Sequence, residues 1–300
     1  MSWLINAAQA NKFRKSQKSL IIMDATFHLP QSGRDAKQEF LEKHITGAQF
    51  FDIAALCDAS NPLPYMALQN ENEINEKLGA LGIRNDYKII FYDNSDLHSA
   101  ARALWMMKYF GHNPQLLYIV DGGLAAWEKT IGKTESGPSS CKSKHYLSKL
   151  QPHTIRTLSQ MKENLKTSQQ QVVDLRHPAR FAGGRESRSG LRSGHIPGSF
   201  SFPFSSFFET NGTFKPLDKI RTLLESVAID VKSPTIAMCG SGITAANLDF
   251  VLDLLGNREH QVYDGSWTEW GSENFYPGEK NLEERPVETC IEEDFPEDIE

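Results

Sequence analysis

The chain has 300 residues, 39% of them hydrophobic and 23% charged, with 17 Phe and 5 Trp, enough apolar material for ordinary cores; this excludes wholesale disorder and low-complexity architectures. At roughly 100–200 residues per domain two domains are expected, and no run approaches the roughly 20 apolar residues of a membrane-spanning helix. The net charge of −6 is unevenly placed: residues 279–300 hold ten acids against Lys280 and Arg285, leaving the other 278 residues at +2, so neither nucleic acid nor a membrane is an expected partner of this nearly neutral body.

Met1 to Lys18 mixes Trp3, Leu4 and Ile5 with Lys12, Arg14 and Lys15. It lacks the roughly 7–15-residue apolar core of a secretory signal and reads as a short amphipathic helix. An apolar strand follows (Leu20-Ile21-Ile22-Met23-Asp24), then His44-Ile45-Thr46-Gly47-Ala48, a second strand ending at Tyr92-Asp93, and Tyr118-Ile119-Val120-Asp121-Gly122-Gly123. Gly132 to His153, rich in Ser, Lys, Gly and Pro, reads as a linker. The same signals then return: Val172-Val173-Asp174, His195-Ile196-Pro197-Gly198, a strand ending at Met238-Cys239, and Val262-Tyr263-Asp264-Gly265-Ser266-Trp267. The pairs Asp24/Asp174, His44/His195, Asp93/Cys239 and Asp121/Asp264 lie 150, 151, 146 and 143 residues apart. Four motifs in one order at near-constant spacing identify a duplicated domain.

Within each copy, short apolar runs alternate with helical patterns such as Ile220, Leu223, Leu224, Val227 and Ala245, Leu248, Val251, Leu254. That alternation predicts an α/β fold, each copy a mainly parallel sheet flanked by helices. The expected organisation is a first domain over 1–131, a linker over 132–153, a second domain over 154–277 and an acidic tail over 278–300, either solvated or strapped to the surface.

Cys57, Cys141, Cys239 and Cys290 are far apart and form no C-x-x-C pair. A disulfide framework or structural zinc is not expected, and a reducing cytoplasm fits. Free cysteines are commonly buried for packing alone. Cys239 differs because it ends a strand and opens Gly240-Ser241-Gly242-Ile243-Thr244 before a helix starting near Thr244. Ligands of open α/β sheets collect at the carboxyl ends of strands. There, Gly240 and Gly242 let backbone N–H groups turn inward and join the helix N-terminus as an anion cradle, which favours a thiolate nucleophile and a persulfide.

Two rival readings fail. Gly240-x-Gly242-x-x-Ala245 fits a dinucleotide fingerprint, but it stands some 65 residues after the domain's Val172-Val173-Asp174 strand instead of in its first βαβ unit. A cysteine phosphatase needs an arginine six residues after the cysteine, where this chain has Ala245.

The duplicated domains, the Cys-Gly-Ser-Gly-Ile-Thr loop in the second copy only, and the His-Ile-Pro-Gly and Tyr-Asp-Gly-Ser-Trp motifs resemble the 3-mercaptopyruvate sulfurtransferases, close relatives of thiosulfate sulfurtransferase (rhodanese). The resemblance runs from about Ile22 to Trp270. It implies two tandem rhodanese-like domains, with Asp93 making the first copy catalytically silent. Relatives preferring thiosulfate tend to carry Arg-Lys after the cysteine; Gly240 and Ser241 therefore point to mercaptopyruvate. In the loop holding Arg176, Arg180, Arg185, Arg188 and Arg192, the resemblance aligns Arg180 and Arg188 with substrate-binding arginines, whose planar forks suit a keto-acid carboxylate. Arg102 matches a cleft-facing arginine. Ser241 and Asp52 match two members of a Ser–His–Asp relay. Where the family's Pro-His-Met-Leu-Pro segment is expected, this chain has Pro64-Tyr65-Met66-Ala67, and a phenol is a poor base at neutral pH. His44 and His195 recur in both copies, which favours a structural role.

The expected function is sulfur transfer from 3-mercaptopyruvate, through a Cys239 persulfide, to cyanide or a thiol such as that of a thioredoxin-like protein, releasing pyruvate. Cys239, Ser241 and Asp52 are the catalytic candidates; Arg180, Arg188, Gly240, Gly242, Ile243 and Thr244 are the substrate-binding ones. No metal or organic cofactor is implied. Thiosulfate:cyanide transfer and a persulfide-carrying relay module are the alternatives.

Overall fold

Each apolar run is followed by a helix before the next run begins. A chain so ordered reaches the neighbouring strand by a crossover, which makes the pair parallel. The computed structural model describes residues 3–67, 69–186, 188–273 and 282–290, and it holds two such sheets in two compact units.

The first unit takes in Met1–Asp58, Ala67–Thr154 and Phe207–Pro216. Its elements are β1 (Leu4–Ile5), α1 (Ala7–Ser16), β2 (Leu20–Asp24), α2 (Ala36–Glu42), β3 (His44–Ile45), β4 (Gln49–Phe50), α3 (Glu71–Ala80), β5 (Lys88–Tyr92), α4 (Ala100–Tyr109), β6 (Leu117–Val120), α5 (Gly123–Thr130) and β7 (Thr134–Glu135). The amphipathic first helix is α1, started by a capping box in which Asn6 and Gln9 each satisfy the other's backbone N–H. The sheet order is β1-β6-β5-β2-β4, parallel throughout. One core packs Ile22, Ile90, Tyr92 and Val120 of the sheet against Ala10 of α1 and Leu124 and Trp127 of α5. In α4 every residue but Lys108 is buried.

The second unit takes in Ala59–Met66, Ile155–Ser206 and Leu217–Glu300. Its elements are β8 (Ile155–Arg156), α6 (Leu158–Thr167), β9 (Gln171–Asp174), α7 (Pro178–Ala182), β10 (Phe200–Ser201), α8 (Leu217–Ser226), β11 (Thr235–Met238), α9 (Ala245–Leu255), β12 (His260–Tyr263) and α10 (Ser266–Trp270). Its sheet, β10-β9-β11-β12-β8, is again all parallel. Strand for strand this is the order of the first unit, so the duplication seen in sequence is a duplication of topology.

The units depart from the expected boundaries in two stretches, 59–66 and 207–216. Phe208 stacks on His98 at a 3.4 Å centroid distance and Phe214 N donates to Asp121 Oδ1 at 2.8 Å, which binds 207–216 to the first unit. The stretch read as a linker is fastened along that unit too. Tyr146 is buried, Lys144 N donates to Gly79 O and Lys149 N to Phe110 O.

Of the acidic tail, 282–290 straps the second unit. Arg285 is fully buried with Nη1 donating to Glu269 O and Trp270 O, and Cys290 N donates to Ala182 O. The rest of 278–300 lies outside the described residues. The recurring histidines are structural: Nδ1 of His44 and of His195 lies 2.7 and 2.8 Å from the carbonyls of Phe40 and Phe181, and each imidazole stacks on the ring of that same phenylalanine. Among the described residues no helix is long and apolar enough to cross a membrane.

Candidate active site

The central strand β11 ends at Met238, and its successor Cys239 is 2% exposed at the carboxyl edge of the sheet. Three residues at the start of α10 hold the backbone of Cys239 and Gly240. Ser266 Oγ accepts from Cys239 N at 3.2 Å while donating to Tyr263 O, Trp267 N donates to Cys239 O at 3.0 Å, and Thr268 donates to Gly240 O through both N and Oγ1. The loop then turns at Gly242, whose φ of +80° disfavours any side chain, and α9 starts at Ala245 with Thr244 as N-cap. Ser241, Ile243 and Thr244 are all buried.

Gly240, unlike Gly242, does not take a left-handed backbone conformation. A Cβ there would stand 3.6 Å from Arg188 Nη2 and 3.8 Å from Arg180 Nη1 and Nη2, so any longer side chain would project at the two guanidinium groups.

The five arginines of the 176–192 loop divide by partner. Arg176 is buried in a bidentate pair with Asp174 and lies 4.1 Å over the Trp267 ring. Arg192 donates to the carbonyls of Trp270 and Gly271 at the end of α10. Arg185 is exposed. Arg180 and Arg188 alone flank Gly240. Arg188 Nη1 donates to Thr268 Oγ1 at 2.7 Å, and its Nη2 is buried with no hydrogen-bond partner among the described residues.

Both are gripped by Glu186. Arg180 Nη2 donates to its Oε2 at 2.6 Å and Arg188 Nε to its Oε1 at 3.2 Å. The Glu186 side chain is only 3% exposed, against 31% for Arg180 and 35% for Arg188. Burial pushes its carboxyl up, but the hydrogen bonds and charges of Arg180 and Arg188 outweigh it and hold the group below the usual carboxylate range.

In the first unit the same strand-to-helix junction carries Asp93. Its Oδ2 accepts from Ala100 N at 2.8 Å and its Oδ1 from Ser95 N. A carboxylate thus sits on the amide cradle at the start of α4. Burial, countered by those amides and reinforced by the charges of Asp24 and Asp96, raises its pKa to about 7. Asp52, also in this unit, is half-buried and caps the turn at Ala54–Leu56 by accepting from Ala55 N. Arg102 is fully buried, 4.3 Å over the Trp105 ring. Tyr65, in the 59–66 stretch, has a left-handed backbone with φ of +63°. All four cysteines are free, and among the described residues no cluster of His, Cys, Asp or Glu is placed to hold a metal.

Residues 7–130 and 157–273 each match the rhodanese-like domain family. The chain is 38% identical over 266 residues to a 3-mercaptopyruvate sulfurtransferase of Mus musculus, covering 88% of this chain and 89% of that one. It is 36% identical over 270 residues to a thiosulfate sulfurtransferase of Gallus gallus, covering 89% and 91%. The chain belongs to the rhodanese family of sulfurtransferases. The crystal structure of SseA from Escherichia coli, a 3-mercaptopyruvate sulfotransferase structure, superposes with a TM-score of 0.80 at 30% identity, covering 89% of this chain and 99% of that one. As a member of the rhodanese family this protein is an enzyme, a sulfurtransferase. Three residues that hold its loop and arginines escaped the sequence reading: Glu186, Ser266 and Thr268. Glu186 had a signal, as the one acid among five arginines; Ser266 had only its place after the Asp-Gly that recurs at 121–122 and 264–265, and Thr268 had none.

Proposed function

We propose that this sulfurtransferase takes sulfur from 3-mercaptopyruvate onto Cys239 as a persulfide, releases pyruvate, and passes the sulfur to cyanide or to a thiol such as that of a thioredoxin-like protein, in the cytoplasm. The observation that carries this is the pairing of an uncharged Cys239–Thr244 loop with two guanidinium groups set against Gly240. One carboxylate bound by the Arg180 and Arg188 forks places a three-carbon donor with its sulfur toward the cysteine.

Cys239 enters as the thiolate and attacks the donor sulfur. The new S–S bond forms as the C–S bond breaks, and the bonding pair moves onto carbon to give the enolate of pyruvate. The proton of the donor's thiol moves to that enolate, leaving pyruvate and a persulfide anion on Cys239. Ser241 hydrogen-bonds the departing enolate, and the backbone amides of 240–244 with the start of α9 hold the anionic sulfur. In the first unit the equivalent junction turns two backbone N–H groups, of Ser95 and Ala100, onto the Asp93 carboxyl. An acceptor thiol then attacks the outer sulfur, leaving as R–S–SH while Cys239 returns as thiolate.

The test has two parts. Mass spectrometry after incubation with 3-mercaptopyruvate should find about 32 Da added at Cys239 with pyruvate released in equal amount. Measured side by side, kcat/KM should favour mercaptopyruvate over thiosulfate; a clear preference for thiosulfate overturns the donor assignment, and absence of the adduct overturns the persulfide.

A further inference from the structure

We infer that Glu186 is the positioning and specificity-determining residue of the donor site: by bridging Arg180 and Arg188 it aims both at the Cys239 loop and sets the site's formal charge to +1, which matches a monoanionic donor and disfavours a dianion. The inference deepens the reading of Cys239 and the two arginines as the donor site, and it rests on that reading.

The charge count is closed by the neighbours. Arg176, whose Nη1 also lies 4.0 Å from Glu186 Oε2, is balanced by Asp174 in a buried bidentate pair and adds no net charge, and the Cys239–Thr244 loop carries no charged side chain besides the thiol. What faces a donor is therefore two guanidinium groups and one buried carboxylate. A keto-acid monoanion brings that set to neutrality. Thiosulfate would leave one negative charge uncompensated beside an anionic sulfur, in a partly desolvated site where such charges are poorly screened. Glu186 also limits where the arginines can point. It occupies Nε and Nη2 of Arg180 and Nε of Arg188, leaving Arg188 Nη2, near Gly240, with no hydrogen-bond partner among the described residues.

The duplication offers an independent view of the device. In the first unit Glu39 grips Arg34 through both carboxylate oxygens at 2.7 and 2.8 Å, and Arg34 Nη2 donates at 2.9 Å to the carbonyl of Asn94, the residue after Asp93. In the second, Glu186 grips Arg188, whose Nη1 lies 3.5 Å from the carbonyl of Gly240, the residue after Cys239. A glutamate holding an arginine over the loop thus occurs in both copies. The second copy alone adds another arginine to the same carboxylate and leaves a donor nitrogen over.

The test is Glu186→Gln in the full chain, with kcat/KM measured for 3-mercaptopyruvate and for thiosulfate on one preparation, cyanide as acceptor. A ratio taken within one preparation does not depend on how much of it is folded. The thiosulfate-to-mercaptopyruvate ratio should rise by about tenfold or more, with KM for mercaptopyruvate changing more than kcat. Glu186→Asp, which keeps the charge on a shorter arm, should raise that KM but leave the ratio within about twofold of wild type. An unchanged ratio in Glu186→Gln, or an equal change in both variants, overturns the inference. On the wild-type protein, monoanionic pyruvate should inhibit about tenfold more strongly than dianionic oxalate; equal or stronger inhibition by oxalate overturns it without any variant. A wild-type preference for thiosulfate would refute the donor assignment separately, because the inference is judged on the change in ratio.

Discussion

Replacing Asp93 by Asn tests whether burial outweighs the backbone N–H groups of the first unit's loop in setting the charge of this carboxyl. The Asp93 carboxyl titrates at about 7 against an ordinary 3.8, because burial outweighs the hydrogen bonds from Ala100 N and Ser95 N. The folded state therefore binds this proton more tightly than the unfolded chain. The stabilisation it brings is complete below the ordinary value and is lost as pH rises toward 7. At roughly 1.4 kcal/mol per pH unit the whole effect is about 4 kcal/mol, of which about 2 kcal/mol falls between pH 5.5 and 8. Asn cannot ionise, so its variant lacks that loss. It also offers one acceptor oxygen to two amides, at a cost of about 1–2 kcal/mol that does not vary with pH. Urea unfolding of both proteins at pH 5.5 and pH 8 separates the two contributions. Wild type should lose about 2 kcal/mol more than Asp93→Asn across that interval. Parallel losses would refute the argument, since a carboxylate already ionised at pH 5.5 has nothing left to titrate.

Cys239→Ser should reduce sulfur transfer to cyanide by about a thousandfold or more, with the melting temperature within about 2 °C of wild type; retention of most activity would mean that another group receives the sulfur. Arg188→Lys replaces a fork that serves Glu186 and Thr268 at once with a single ammonium, and steady-state kinetics should show kcat/KM for mercaptopyruvate down by about 10–100-fold, mostly in KM. Ser266→Ala removes the acceptor of Cys239 N, so urea unfolding should show a loss of about 1–3 kcal/mol; unchanged stability would mean that this hydroxyl does not hold the loop.

Much of the fold is local in origin, which is why it could be read from the chain. Strands such as Lys88–Tyr92 and Thr235–Met238 are short apolar runs buried on both faces, and helices such as Ala245–Leu255 carry their own period and end in Gly256. The boundaries were less legible, because segments 59–66 and 207–216 are placed by long-range contacts such as Phe208 on His98, and no local pattern encodes a ring stack across 110 residues. The stretch 132–153 has a linker's composition, but it also carries Tyr146, whose burial fastens it.

By itself the sequence determined the duplication, the parallel α/β class, the cysteine at a strand's end and the neutral loop after it, because each is a property of consecutive residues or of a regular spacing. The resemblance singled out Arg180 and Arg188 among five similar arginines, but what turns those two and not the others toward that loop is set only by the tertiary structure. Arg176 and Arg192 are consumed by Asp174 and by the carbonyls ending α10, while Arg180 and Arg188 are turned to Gly240 by the buried carboxylate of Glu186. The physical reason is that a guanidinium group's role depends on which acceptors reach it, and those acceptors come from strands and turns far away in the chain.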